Sequence, residues 1–260
     1  MIDFGKLVLE RVEDAVALDP ATEELLFILD EPTGGSLESA METVWAQGKG
    51  GRRLYGLDRN KTASFTCTNG YLVLGALQAQ VGGNIKDVTT TATVNVPVIE
   101  YLKVTSNKLT LSYTPVPGSL KHVYKAQSDN TQGKGYAFGE DAANQFSVSD
   151  KVVTLPTSIH AGNGDVYIAI YERTSKSGKV IVNDSETYPS NAKVIFTLLC
   201  HESCDMNSKV YAKLVFPNSK IDGNFTLDIS GDAVTQQLKI ESMADVCSID
   251  KTYWTMYVCE

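Results

Sequence analysis

From Thr89 to Glu241 the chain repeats one arrangement: short runs rich in Val, Ile, Thr, Tyr and Phe, parted by clusters of Gly, Pro, Asn and Ser. Alternation with a period of two places successive side chains on opposite faces of a β-strand. The runs predict strands over Thr89 to Val98, Val104 to Thr114, Lys121 to Ala126, Gln145 to Val148 and Lys151 to Leu155. Further strands are predicted over Asp165 to Glu172, Lys193 to Cys200, Lys209 to Phe216, Asn224 to Ser230 and Thr235 to Glu241. Pro115-Val116-Pro117-Gly118, Gly162-Asn163-Gly164-Asp165 and Lys176-Ser177-Gly178-Lys179 are turn sequences between them.

Upstream the pattern is less regular. Lys6 to Leu18 sets Leu7, Leu9, Val12, Val16 and Leu18 among charges, which serves an irregular strand or an amphipathic helix, and the strand is preferred. Glu24 to Leu29 is a short apolar run, closed by Asp30-Glu31-Pro32-Thr33-Gly34-Gly35, which predicts a turn or loop. Ser36 to Ala46 fits a helix or a continuing strand, and Gly48-Lys49-Gly50-Gly51 is a flexible loop. Leu57 to Thr68 is a clear strand, with Ala63, Phe65 and Cys67 on one face and Ser64, Thr66 and Thr68 on the other.

One helix is expected, over about residues 70–82. Asn69 has the chemistry of an N-cap, Leu74, Leu77 and Val81 recur at helical spacing, and Gly82-Gly83 supplies the stop. The fold class is therefore mainly β: a β-sandwich or barrel core with one principal α-helix and a β-rich insertion. A soft change of character near Glu100 and again near Pro189 divides the chain. Residues 1–100 and 190–260 are expected to form the core, and 101–190 an inserted or peripheral lobe.

Composition agrees with a packed globular chain. Of 260 residues 43% are hydrophobic and 21% charged, with mean hydropathy -0.11, so disorder is not expected. No window approaches 18 consecutive apolar residues, and Met1 to Lys6 lacks the basic flank and apolar run of a signal peptide. The expectation is a protein made in a cytoplasm, without membrane contact. Cys67, Cys200, Cys204, Cys247 and Cys259 form an odd set, better suited to reduced thiols than to a secreted disulfide framework. The three Asn-x-Ser/Thr triplets, at Asn60, Asn183 and Asn224, carry no weight without secretion.

Charge changes the picture more. A net charge of -8 is unsuited to gripping nucleic-acid phosphates. Residues 1–45 hold eleven Asp or Glu against Lys6 and Arg11 alone, whereas Lys49, Arg52, Arg53, Arg59 and Lys61 follow with only Asp58 among them.

Catalytic patterns are missing from the sequence. His122, His160 and His201 stand apart from any Ser or Asp arrangement, with no Gly-x-Ser-x-Gly elbow, no His-Glu-x-x-His and no Gly-x-Gly-x-x-Gly. The Gly-Lys of the 48–51 loop is followed by Gly50 where a phosphate loop needs Ser or Thr. Cys200-His201 and Cys204 have a metal-like spacing but no second ligand pair, so small buried thiols flanking a strand-to-turn transition are the better account. Asp205-Met206-Asn207-Ser208 lacks the Gly and closing Glu of a calcium loop and is expected to be a β-turn. Glycosidase chemistry needs only two carboxylates about 5 to 9 Å apart, yet no spacing here selects a pair. The chain is not expected to be an enzyme, and no cofactor or metal is expected.

Two segments carry a resemblance. Gly50-Gly51-Arg52-Arg53-Leu54-Tyr55-Gly56-Leu57-Asp58-Arg59-Asn60-Lys61-Thr62-Ala63-Ser64-Phe65 leads into the helix at Tyr71 to Val81. Phe216-Pro217-Asn218-Ser219-Lys220-Ile221-Asp222-Gly223-Asn224-Phe225-Thr226-Leu227-Asp228-Ile229 precedes Thr235 to Asp245. About half of the chain takes part, and together the segments resemble the major tail tube proteins of long-tailed bacteriophages, of siphovirus or myovirus type. The resemblance implies a structural virion protein that self-assembles into stacked hexameric rings, whose strands line a channel for the genome.

It further implies a place in the virion tail, after assembly in the bacterial host cytoplasm. The partners implied are further copies of the chain, the tape measure, and the baseplate initiator and terminator proteins. DNA passes through without specific binding, which an acidic lumen would favour. The charge pattern supplies candidate inter-subunit contacts: Lys49, Arg52, Arg53, Arg59 and Lys61 from the basic segment, and Asp222, Asn224 and Asp228 from the late hairpin. Residues 101–190 exceed what a minimal tube subunit requires and are expected to decorate its outer surface.

Alternatives are another β-rich virion component, of capsid or baseplate, and a carbohydrate-binding β-sandwich with Tyr167, Tyr171, Tyr188, Trp45 and Trp254 as surface aromatics. Those aromatics sit on separate strands, so core packing is the better expectation.

Overall fold

The computed structural model describes residues 6–129, 131–159, 161–203, 205–228, 235–244 and 251–258. The sequence expectations for His160, Cys204, Cys247 and Cys259 lie outside the described residues. The chain is mainly β, and its described residues form antiparallel sheets and one short helix. In order the elements are β1 Leu7–Leu18, β2 Leu25–Leu29, β3 Pro32–Gln47, β4 Arg53–Asn69, α1 Leu74–Val81, β5 Ile85–Val88 and β6 Val94–Lys103. Then come β7 Lys108–Thr110, β8 His122–Ala126, β9 Gln132–Ala137, β10 Ser147–Ser149, β11 Val152–Thr154, β12 Val166–Ser175 and β13 Gly178–Ile181. Last are β14 Asn191–Glu202, β15 Asp205–Ile221, β16 Leu227–Asp228, β17 Thr235–Ser242 and β18 Thr255–Val258.

Two compact units result, one from Met1–Ile85 with Ile181–Glu260, the other from Lys86–Val180. The first is a single sheet in the order β2-β1-β14-β15-β17-β4-β3, with β16 beside β17 and β18 beside β15. Its core contains Phe65, Phe196 and Phe216, whose rings meet at centroid distances of 4.1, 6.1 and 6.0 Å. The sheet curls until β3 reaches β1: a Cβ on Gly35 would stand 2.7 Å from Val12 Cγ2 and 2.8 Å from Phe65 Cζ. Among the described residues no ladder joins β1 to β3, so the curl is not a closed barrel, and β2 and β3 are its edges. An apolar groove of about 340 Å³ remains along this seam, lined by Leu9, Val12, Leu37, Phe65 and Met256 among others.

The irregular start has a physical cause. β1 slips register against β14 between Leu9 and Arg11 and again between Val12 and Asp14, and such bulges break the two-residue period. The residues 36–46 continue a strand. The turn or loop expected over Asp30 to Gly35 is confined to Asp30-Glu31, because β3 already begins at Pro32. Proline is tolerated as the first residue of an edge strand, where its missing N–H breaks no ladder, and Gly35 is where β3 passes close over Val12.

The helix also departs from expectation at its start. It begins at Leu74 with Val73 as N-cap and no side-chain cap, and it ends at Gly82, whose φ of 74° is the left-handed conformation. Asn69 caps nothing there: it is buried at the end of β4, taking the Glu31 N–H at 3.3 Å and donating to the Tyr71 carbonyl at 3.0 Å. The buried face of α1 is Ala76, Ala79, Gln80 and Val81, so Leu74 and Leu77 do not lead it.

The second unit packs Val104, Leu109, Leu111, Leu120, Val123, Phe146, Val153, Leu155, Tyr167, Ala169 and Tyr171 into its own core. Around this core lie the sheets β6-β12-β8-β9 and β10-β11-β7, and β5 pairs with β13 as a separate ribbon. The long strand expected over Val104 to Thr114 is broken at Ser106 and Asn107, whose φ angles of 52° and 62° turn the chain, leaving only Lys108–Thr110. The strand expected from Thr89 begins instead at Val94, because Thr89 and Ala92 close a turn with the Thr89 N–H donating at 3.0 Å.

Asp205 to Ser208, expected as a β-turn, is the beginning of β15: the hairpin closes one step earlier, between Glu202 and Asp205. The strand expected over Asn224 to Ser230 is, within the described residues, only Leu227–Asp228.

Candidate assembly surface

β3 and β4 form a hairpin of 16 and 17 residues, paired from Pro32↔Asn69 to Gln47↔Arg53. Only its base is core. Ala63, Phe65, Cys67 and Asn69 are buried, whereas from Thr33 to Thr62 every residue except Gly48 and Gly56 is exposed. The hairpin therefore projects as an arm with solvent on both faces. Alternation places Val44 with Leu57 and Ala46 with Tyr55 on one face, and Thr43 with Asp58 and Trp45 with Gly56 on the other. Near the middle β4 carries an extra residue: Asn60 and Lys61 stand opposite Met41 alone, between Ala40↔Thr62 and Glu42↔Arg59, and Asn60 takes a φ of 52°. The Asn60 amide donates to Glu42 at 2.8 Å and the Thr43 hydroxyl to Asp58 at 2.8 Å, stitching the arm across its strands.

The structure gathers Lys49, Arg52, Arg53, Arg59 and Lys61 on this one arm. Lys49 lies in the Gly48 to Gly51 tip, where Gly50 and Gly51 take φ angles of 78° and 77° that glycine adopts readily. Arg52 follows, and Arg53 places its guanidinium 5.0 Å over the Trp45 ring. Arg59 is opposite Glu42, and Lys61 is exposed beside the Met41 irregularity. Glu38 and Glu42 of the acidic segment share the arm, so only its tip is purely basic. Asp222 and Asn224 lie elsewhere, in the loop after β15. There Asp222 accepts from the Asn224 backbone at 2.8 Å and faces Lys239 at 3.5 Å, so both are engaged locally. The backbone of Asp228 pairs with Thr235.

The residues weighed for chemistry are dispersed. His122 stacks on Tyr124 with ring centroids 6.0 Å apart. His201 is buried at the end of β14, with Nδ1 2.8 Å from the Ser208 carbonyl and Nε2 against the Glu10 carboxylate. Cys200 is buried on the opposite side of that strand, and burial raises its thiol pKa; burial pushes Cys67 up to about 12. Among the described residues no three His, Cys, Asp or Glu side chains converge as metal ligands, and no helix is long and apolar enough to cross a membrane. Of the surface aromatics weighed, Tyr167 and Tyr171 are fully buried and Trp254 is partly buried, while Tyr188 and Trp45 are exposed.

An open antiparallel sheet with a projecting two-stranded arm makes polypeptide edge the prominent surface of the first unit. The chain belongs to the YomU/Tube protein family, whose model matches residues 7–257. That family places it among phage tail-tube-like structural proteins. No curated protein matches it.

Proposed function

We propose that the chain is the major tail tube subunit of a long-tailed phage, assembling into hexameric rings that stack into the channel of the virion tail. The observation that carries this reading is the arm. A two-stranded hairpin with water on both faces is at best marginally stable, and this one exposes Met41, Val44, Trp45, Leu54, Tyr55 and Leu57. Its outer strand is a free edge of 16 residues, a hazard in a monomer and a template in an assembly. A neighbouring copy is the natural cover, with the basic tip at Lys49, Arg52 and Arg53 docking on an acidic surface of the next subunit. Asp222, Asn224 and Asp228 are candidates for a second contact.

Charge supports the same reading. Of 23 basic and 31 acidic residues, the lobe at 86–180 holds ten and eight, so the remainder carries thirteen against twenty-three. An acidic sheet unit suits a lumen that DNA crosses without adhering. Tape measure, initiator and terminator proteins would contact such a tube at its lumen and ends.

Electron microscopy of the purified full chain, across concentration and salt, tests this reading. Hollow tubes or stacked rings are expected. The double reversal Arg52→Glu with Arg53→Glu is expected to abolish stacking while leaving the circular dichroism spectrum unchanged. A chain that stays monomeric at high concentration and with an initiator added overturns the reading.

A further inference from the structure

The lobe at 86–180 has its own unpartnered sheet face. β6 pairs with β12 through Lys103↔Val166, Tyr101↔Ile168, Ile99↔Ile170 and Pro97↔Glu172. The alternate residues, Leu102 with Tyr167 and Val98 with Tyr171, point into the core. The outward row is therefore apolar in its middle. Ile99 is 65% exposed, Tyr101 57% and Ile170 48%, and Tyr124 of β8 continues the row beside Ile168. Aliphatic side chains this open are not ordinary sheet exterior, where polar residues alternate with the core.

The ends of the row differ in sign. Lys103 stands at one end and Glu172 at the other, both exposed and neither in an ion pair among the described residues. Six residues separate Pro97 from Lys103, about 20 Å along a strand. The midpoint falls between Ile99 and Tyr101. A two-fold axis through that midpoint lays the apolar centre of one copy on that of another. It also brings Lys103 of each against Glu172 of its mate, so the face is complementary to itself. Edge-to-edge pairing is disfavoured, because β6, although an edge strand, contains Pro97 and lacks a donor there.

We propose that this β6–β12 face is an isologous contact between two copies of the chain, packed face to face, independent of the arm and of the tube reading. A row about 20 Å long across two or three strands about 5 Å apart covers less than the roughly 800 Å² per partner of a standard interface, so the pairing is weak in free subunits, on the order of micromolar.

Sedimentation velocity between roughly 1 and 100 µM reads this range directly. The full chain is used in the Arg52→Glu/Arg53→Glu background, so that a dimer cannot be mistaken for tube assembly. The expected result is a concentration-dependent dimer. Lys103→Glu and Glu172→Lys, both at exposed positions, should each abolish it by setting like charges together twice. Mixing the two variants should restore it. A two-fold axis then sets the two reversed charges, opposite in sign, against each other at one end of the row, and the unaltered Glu172 and Lys103 against each other at the other end. Ile99→Asp should abolish pairing alone and in every mixture, with thermal melts confirming that each variant is folded. A parent chain that stays monomeric, single reversals that pair like the parent, or a mixture that stays monomeric would each overturn the proposal, whatever electron microscopy shows of tubes.

Discussion

Gln80 and Gln236 meet side chain to side chain inside the first unit, with Gln236 Nε2 donating to Gln80 Oε1 at 3.0 Å. Both are almost fully buried. Gln80 Nε2 donates in turn to the Gln237 carbonyl at 2.7 Å, and Gln236 Oε1 accepts the Val73 N–H at 2.8 Å. The pair thus pins α1 to β17 and meets a donor at the helix start that no capping side chain serves. Gln236→Leu leaves the Val73 N–H and Gln80 Oε1 without partners in a dry site. It should lower unfolding stability by about 1 to 3 kcal/mol, measured by urea denaturation with an unchanged slope.

Phe196 and Trp45 offer the opposite test. Phe196 is fully buried against Phe65 and Phe216, whereas Trp45 is 43% exposed on the arm. Phe196→Ala should cost about 3 to 5 kcal/mol by leaving a cavity. Trp45→Ala should move monomer stability by no more than about 0.5 kcal/mol and yet impair tube formation, seen by pelleting and microscopy. Equal effects on stability would contradict the division of the hairpin into a core base and a free arm.

The strand pattern of β4 and β17 was legible because each alternates one buried face with an open one, as at Ala63, Phe65 and Cys67. β12 and β14, buried on both faces over Tyr167 to Ala169 and Phe196 to His201, were legible instead as apolar, β-branched and aromatic runs. β9 was not: Gln132–Ala137 contains Gly133, Lys134 and Gly135 and has no apolar alternation, yet it forms because β8 offers it a ladder. β3 was obscured for a related reason. With both faces in solvent, no period is imposed on its side chains, and its glycines imitate a turn. The basic residues of the candidate surface were visible as a cluster in sequence. That they share one projecting arm with Glu38 and Glu42 depends on the register with β4, which a single strand does not reveal. The Ile99 and Tyr101 face was hidden for another reason, since β6 is apolar on both sides and its exposed side reads as core.

Gly82 is fixed by two constraints at once. Its φ of 74° is one that side chains rarely adopt, and a Cβ there would stand 1.9 Å from the Tyr188 carbonyl oxygen. The neighbour is backbone, so it has little freedom to yield. Gly82→Ala should destabilise the chain by at least about 2 kcal/mol. Gly50→Ala, with a similar φ of 78° but nothing within 4 Å, should cost less. Paired thermal melts would show whether the close approach, rather than the backbone angle alone, separates the two positions.

Glu10 and His201 tie β1 to β14, and the hydrogen bond from His201 is the largest cause that holds the Glu10 carboxyl below its ordinary range. A group whose folded pKa is depressed contributes stability that is complete above its unfolded value and is lost as pH falls through the folded one. Glu10 should therefore support the fold fully at neutral pH and lose that support progressively as pH falls from about 4.5 through its depressed folded value. Glu10→Gln removes the titrating group. Its stability should fall below that of the parent at neutral pH and converge with it as pH falls through the depressed Glu10 value, so the parent profile should drop more steeply through the acid range. Parallel profiles for the two proteins, from denaturant midpoints between pH 7 and pH 3, would show that the pair does not couple folding to protonation. Arg11 and Lys209 also act on Glu10 through their charge, so the difference should narrow at high salt without vanishing, because the His201 hydrogen bond is less screened than they are.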